Sequence, residues 1–172
     1  MAKLWRCEIC GDPYIGDAAP ANCPFCGAKG KHIKEFKDAK VTFDVNLNEK
    51  DKKNAEEALM TEVKAASLYF CAANKTDDDE GKILFKALGK IETEHASVFK
   101  KILKLSTIPT ADEPCFTKNR DNLEETKKRE IDAVQFYKRA ASEATNDRIK
   151  QIFLAFMEVE ADHLVLANER LL

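Results

Sequence analysis

Carboxylate and imidazole side chains recur in the sequence as two copies of one pattern. The first copy holds Glu62, Tyr69, Glu92 and His95. The second copy has the same residue types 68 residues later: Glu130, Tyr137, Glu160 and His163. A repeat at one fixed offset marks a duplicated structural unit. Two half-sites that each offer two carboxylates and one imidazole predict a single, symmetric metal centre.

The spacing within each copy suits helices that face one another. Each histidine follows a glutamate by three residues, which places the pair one turn apart on one helix face. A buried carboxylate without a partner costs several kcal/mol, so four that converge require a cation. Carboxylate and imidazole ligands suit iron or manganese, and zinc is a further option. The predicted ligands of this two-metal site are Glu62, Glu92, His95, Glu130, Glu160 and His163.

Tyr69 and Tyr137 each follow the first glutamate of their copy by seven residues, two helical turns along the same face. Each phenol could therefore donate a hydrogen bond to a ligand carboxylate across the core, which would orient that ligand. As ordinary core aromatics they would show the same spacing. We expect Tyr69 and Tyr137 to have this supporting role. Glu94 and Asp162, which are adjacent to predicted ligands, are expected to point outward.

Four of the six cysteines form two CxxC turns, separated by twelve residues: Cys7, Cys10, Cys23 and Cys26. Two such turns can close a tetrahedral cage of four sulfurs, which suits zinc and iron alike. A segment of about 38 residues cannot bury enough core to fold alone, so a bound metal is expected to hold it together. Trp5, Tyr14, Phe25 and Phe36 would form its small aromatic core. Cys71 is interpreted as a packing residue and Cys115 as a free loop thiol.

Apolar residues at steps of three and four predict four helices, at about 49–74, 82–105, 120–144 and 148–172. The predicted domains are a small metal domain at 1–38, a linker at 39–48 and a four-helix bundle at 49–172, with Asn48 capping the first helix. The connection between the second and third helices could span roughly 45 Å. A helix of this length measures about 37 Å. The first and third helices can therefore be antiparallel, and a helix pair could also be exchanged between two chains.

The charge and hydropathy of the chain argue against some classes of function. The net charge is −2, which argues against binding to nucleic acid or to an anionic membrane. No apolar run approaches the roughly 18 residues that span a bilayer, and the first residues lack the apolar core of a signal peptide. The protein is therefore expected in the cytoplasm, where CxxC pairs indicate metal binding rather than disulfides.

The CxxC pairs beside a duplicated Glu and Glu-x-x-His pattern resemble rubrerythrin, in the reverse domain order. The resemblance implies a mainly α fold, with a rubredoxin-like domain before a ferritin-like bundle with a long connection between its second and third helices. It implies one redox-active iron on the four cysteines, with zinc as a substitute, and a di-iron centre on the six predicted ligands. The implied activity is reduction of hydrogen peroxide to water, a defence against oxidative stress, with electrons from a protein donor such as a reductase or rubredoxin. A ferroxidase or oxygen-reducing protein, and a non-enzymatic metal-binding protein, are the alternatives.

The sequence departs from this family at one position. Typical rubrerythrins carry a further glutamate one turn after the third-helix ligand, where this chain has Ala133, matching Ala65 in the other half. The predicted site therefore has six ligands rather than seven. The resemblance also implies a homodimer or larger homo-oligomer. The linker is expected to hold the small domain at the start of the first helix, about 20 Å along it from Glu62. Electrons would then pass between chains.

Overall fold

A computed structural model describes the whole chain, Met1–Leu172, as a small antiparallel sheet followed by a bundle of four helices. The sheet has three strands, with the first strand of the chain in the centre. The mainly α prediction is confirmed. A short 3-10 turn, Gly30–His32, precedes the third strand. The strands are β1 (Lys3–Cys7), β2 (Pro13–Gly16) and β3 (Ile33–Glu35), and the helices are α1 (Glu49–Lys75), α2 (Asp79–Ile102), α3 (Asn119–Glu143) and α4 (Asp147–Leu171).

Side-chain caps define where three of the helices begin. Asn48 accepts a hydrogen bond from the Asp51 amide at 2.7 Å, as the sequence predicts. Asp78 and Asn146 cap α2 and α4 in the same way. The second helix ends three residues earlier than predicted, because Lys104 adopts a left-handed backbone with φ of 55°.

Crossed hydrogen bonds establish how α1 and α3 run. The Tyr69 hydroxyl donates to Glu130, and the Tyr137 hydroxyl donates to Glu62. In both helices the glutamate precedes the tyrosine by seven residues. The crossed pairing is possible only when the two helices are antiparallel, so the predicted pseudo-two-fold arrangement of the halves is present within one chain.

The small sheet domain differs from prediction in its aromatic packing. Trp5 is partly buried and donates from its indole nitrogen to the Gly16 carbonyl at 3.0 Å. Phe25 and Phe36, by contrast, are 41% and 53% exposed, so they do not form the expected core. The buried interior consists instead of the four cysteine sulfurs with Ile9, Ala28 and Ile33. The two cysteine turns therefore occupy the centre of this domain.

The linker and α4 hold the small domain against its own bundle. The ring of Phe43, in the linker, contacts two cations. Its centroid is 5.1 Å from the Lys101 ammonium and 5.8 Å from the Arg148 guanidinium. Arg148 also donates to the backbone carbonyls of Glu8 and Thr42. The expectation that the linker keeps the small domain far from Glu62 is therefore wrong, since the small domain reaches Asp162 on α4 and also His95 on α2, which lies 3.5 Å from Glu62.

The connection between α2 and α3 is fastened to α1. Ser67 donates to the Ala111 carbonyl and accepts from the Glu113 amide, both at 3.0 Å. Close by, Cys71 and Cys115 form a disulfide across 44 residues. The interpretations of Cys71 as a packing residue and of Cys115 as a free thiol are both wrong, because the connection folds back and brings the two Cα atoms to 5.8 Å.

No helix combines the length and apolar character needed to cross a membrane.

Candidate metal centres

The four CxxC cysteines converge on one point. Their sulfur atoms all lie within 4.8 Å of one another, and all four residues are buried. The sulfurs of Cys7 and Cys26 are 3.8 Å apart, as are those of Cys10 and Cys23. A tetrahedron with metal–sulfur bonds of 2.3 Å has edges of about 3.8 Å, so the cage fits a single iron or zinc ion.

Leu4, in β1, precedes the first cysteine of the cage by three residues. The Leu4 side chain is 43% exposed and apolar, so it offers no donor atom to a metal. Its backbone carbonyl accepts from the Phe36 amide at 2.9 Å, which helps to close the sheet beside the cage.

Backbone geometry supports the two cysteine turns. Gly11 and Gly27 follow the second cysteine of each turn and have φ of 88° and 74°. Only glycine adopts this conformation without steric cost, as the sequence predicts. The Asp12 amide points at the Cys10 sulfur at 3.4 Å. Such a contact stabilises a thiolate and helps to fix it as a ligand.

In the bundle, one carboxylate–histidine cluster gathers all six predicted residues. They form two overlapping groups of potential ligand atoms within 4.8 Å of one another. Glu92 and Glu160 belong to both groups. The first group adds Glu62 and His95, and the second adds Glu130 and His163. Two carboxylates shared between two otherwise separate groups is the arrangement that bridges a pair of metal ions.

The two histidines, His95 and His163, both place their Nδ1 atom in this cluster. His95 Nδ1 lies 3.0 Å from Glu92 and 3.1 Å from Glu160. His163 Nδ1 lies 3.1 Å from Glu92 and 2.9 Å from Glu160. The two halves therefore present matching donor sets, as the 68-residue repeat predicts.

Several atoms of the cluster are buried with no hydrogen-bond partner. They are both carboxylate oxygens of Glu92, one of Glu160, and Nδ1 of His95. Buried polar atoms without partners are costly, and here they point at one another. Cations placed among them would satisfy all of these atoms at once, so the residues present fit a two-metal centre.

The pKa values of the cluster show the same need for a cation. Burial and then the charge of Glu160 raise the pKa of Glu62 to about 8. Burial is also the main cause that raises the pKa of Glu130 well above its usual range. Burial alone would lower the pKa of His95, but the carboxylates of Glu160, Glu62 and Glu92 around its Nδ1 atom favour the protonated ring and raise the pKa well above its usual value. Without metal, protons provide the missing positive charge.

One side of the cluster contacts the four-cysteine domain. His95 Nε2 lies 2.9 Å from the carbonyl oxygen of Cys26. A carbonyl can only accept, so Nε2 carries the hydrogen, and in the neutral ring Nδ1 then offers its lone pair toward the cluster. One imidazole therefore links the backbone of a cysteine turn to the carboxylate cluster within a single chain.

Other residues of this interface were missed from the sequence. Glu94 and Asp162, expected to point outward, face the small domain instead. Asp162 pairs with Lys29, while burial and then the nearby Asp12 carboxyl raise the pKa of Glu94 to about 7. Gly27 packs so closely that a Cβ atom there would meet Val159 at 2.8 Å. No sequence pattern marks these residues, because their roles depend on how the two domains meet.

A cavity of about 300 Å³ connects the cluster to the surface between α1 and α3. Carboxylates of the cluster line its inner end, including Glu62 and Glu130. Ala65 and Ala133, one turn beyond these glutamates, line its walls together with Phe136. A small molecule can therefore reach the cluster without passing through the small domain.

Comparison with known proteins matches both parts of the chain. Residues 5–34 match the family model described as the rubredoxin-like domain of rubrerythrin, and residues 53–171 match the model of rubrerythrin itself. The chain belongs to the rubrerythrin family. The four-cysteine cage and the buried carboxylate–histidine cluster of this rubrerythrin are consistent with one rubredoxin-type iron and one di-iron centre.

One curated relative is Reverse rubrerythrin-1 of Clostridium acetobutylicum, which is 27% identical over 112 residues. The match covers 59% of this chain and 62% of the relative's length. In this rubrerythrin the rubredoxin-like match precedes the bundle match, which agrees with the reverse order in the relative's name.

Proposed function

We propose that this protein is a non-haem di-iron peroxidase that reduces hydrogen peroxide to water with electrons from a protein donor. The contact between His95 and the Cys26 carbonyl carries the proposal. It joins a rubredoxin-type site, whose natural role is one-electron transfer, to a buried cluster that a small oxidant can reach. A domain with a purely structural metal would need no such contact with the cluster.

The residues that would hold the metals follow from the donor groups. Cys7, Cys10, Cys23 and Cys26 would bind one iron. Glu92 and Glu160 would bridge two further irons, with Glu62 and His95 completing one site and Glu130 and His163 the other. When bound, the iron pair supplies two electrons and a Lewis-acidic surface for an oxygen–oxygen bond, and the four-cysteine iron passes on electrons one at a time.

The protein's own groups position and protect this chemistry. The Tyr137 and Tyr69 hydroxyls donate to Glu62 and Glu130, which fixes these carboxylates and keeps a proton beside each. Burial is the main cause that raises the pKa of both phenols well above the usual range, so both hold their protons at neutral pH. Phe156 stacks on the His95 ring with centroids 4.0 Å apart, which excludes water from that side.

Separating the two sites by mutation tests the proposal. Cys10→Ser should abolish peroxide turnover driven by a protein donor, because the electron path is broken. The same variant, reduced chemically beforehand, should still oxidise its bundle metals in one turnover with peroxide. Loss of both reactions with the bundle metal retained would contradict the assigned electron path.

Two further measurements separate the alternatives. A higher kcat/KM for dioxygen than for peroxide in the wild-type protein would favour an oxygen-reducing or ferroxidase function. The second measurement is the visible absorption of the protein, purified without oxygen and then oxidised. A colourless protein with zinc in the four-cysteine site would favour a non-enzymatic role. We expect a red protein with a thiolate-to-iron absorption band.

A further inference from the structure

The cavity between α1 and α3 is larger than hydrogen peroxide requires. Its volume is about 300 Å³. The cluster carboxylates line its inner end, so this space includes the positions of the two metal ions. One water takes up about 30 Å³ of liquid, so two metal ions and a molecule of two oxygen atoms would still leave part of the cavity unfilled. The volume falls at the lower end of the range for small organic ligands.

The space exists because two side chains are short. Ala65 and Ala133 each lie three residues beyond a carboxylate of the cluster, on the same helix face, and both line the cavity. The two halves of the repeat therefore leave matching gaps beside the carboxylates. Phe136 adds an apolar wall that a hydrocarbon group could contact.

The charges around the cavity favour an uncharged ligand. Lys64 and Arg129 are balanced by Glu57 and Asp132 among the lining residues. Arg129 is also held by Glu113 and Glu125, each at 2.8 Å, which neutralises it and fixes it in the wall. An anion would meet the cluster carboxylates at the inner end of the cavity.

From these features we propose that the cavity also admits small organic hydroperoxides, with the alkyl group against Ala65, Ala133 and Phe136. The reaction would be ROOH + 2e⁻ + 2H⁺ → ROH + H₂O, in which the oxygen–oxygen bond breaks and each oxygen leaves protonated. The two electrons come from the protein donor through the four-cysteine site. This inference rests on the proposed peroxidase function and extends it to a second substrate class.

Steady-state turnover of tert-butyl hydroperoxide and hydrogen peroxide by the metal-loaded protein tests the inference. The wild-type protein should reduce both. Ala65→Leu, at a half-buried position, should lower kcat/KM for tert-butyl hydroperoxide about tenfold more than for hydrogen peroxide, because the added carbons fill the alkyl space. Ala133→Leu should act in the same way. Ala87→Leu, at an exposed position of α2, is the control and should leave the ratio unchanged.

A structural readout is independent of turnover. Crystals of the loaded protein soaked with tert-butyl alcohol, the expected product, should show it beside Ala65 and Ala133 in the wild type and not in Ala65→Leu. Reduction of hydrogen peroxide alone by the wild type, or an equal loss of both activities in the two leucine variants, would overturn the inference while leaving the peroxidase proposal in place. A wild-type protein that reduces neither substrate would overturn both.

Discussion

The Nε2 atom of His95 lies 2.9 Å from the carbonyl oxygen of Cys26, and these residues belong to different candidate metal centres of the same chain. The sequence-based expectation places this electron path between two chains. With the contact formed inside one chain, donor-driven peroxide turnover per chain should stay constant as the protein is diluted. Assays across a hundredfold range of protein concentration, with sedimentation to record the oligomeric state, check this. Activity that falls in step with dissociation would mean that a partner chain completes the path.

The crossed tyrosines provide a second prediction. Tyr137→Phe removes the only hydroxyl that donates to Glu62 and should weaken metal binding at the bundle about 10- to 100-fold, the usual cost of losing a group that orients a ligand. Tyr69→Phe should have the same effect through Glu130. Isothermal titration with Mn²⁺ measures both losses. Tyr14→Phe, in the small domain, is the control. If Mn²⁺ affinity is unchanged in both Tyr137→Phe and Tyr69→Phe, the two tyrosines act only in packing.

The crossed tyrosine pairs rest on features that the sequence made visible. The offset of 68 residues marked equivalent positions, and helical spacing placed them on inward faces, so Glu62, His95 and their counterparts could be found without coordinates. The CxxC turns with Gly11 and Gly27 were equally clear. In each case the signal lies in residue type and local periodicity, which a helix or a tight turn converts directly into position.

Contacts between distant segments could not be found in this way. The docking of Gly27 on Val159, the pairing of Asp162 with Lys29 and the half-buried site of Glu94 all depend on where the linker sends the small domain. A linker of ten residues has many conformations of similar local energy, and only long-range packing selects one. The disulfide was missed for the same reason, since Cys71 and Cys115 carry no spacing signal across 44 residues.

The protons held by the metal-free cluster give a prediction on pH. The pKa of Glu62 is raised to about 8, and those of His95 and His163 also lie well above the usual value. Each metal must displace such protons, so affinity should rise with pH, by about tenfold per unit for each proton displaced, and should still be rising near pH 8.

Mn²⁺ is a suitable probe because it prefers carboxylate and imidazole ligands over thiolates. Titrations at pH 6, 7 and 8, with proton release recorded in weak buffer, measure the effect. An affinity that is flat or falls over this interval would show that the ligands are already deprotonated.

The disulfide should stabilise the fold rather than the sites. Closing 44 residues removes chain entropy worth about 4 kcal/mol from the unfolded state. Reduction should therefore lower the free energy of unfolding by about this amount, with the bundle metal still bound. Denaturant unfolding with and without a phosphine reductant measures it. The double variant Cys71→Ala/Cys115→Ala is the control, since reductant should not change its stability. Equal stability of the oxidised and reduced wild type would mean that the connection is already held by Ser67.

Stopped-flow mixing of the fully reduced, metal-loaded protein with one equivalent of hydrogen peroxide tests most directly whether the two sites work as one redox unit. The absorption band of the oxidised four-cysteine iron should appear once peroxide has been consumed, with a first-order rate constant that does not depend on protein concentration, because the electron moves within one chain. In Glu92→Ala/Glu160→Ala, which lacks the two carboxylates shared by both groups but keeps the cysteines, the band should stay absent on that timescale. The same rate in this variant would show that peroxide oxidises the cysteine-bound iron directly, contradicting electron transfer through His95 to the bundle.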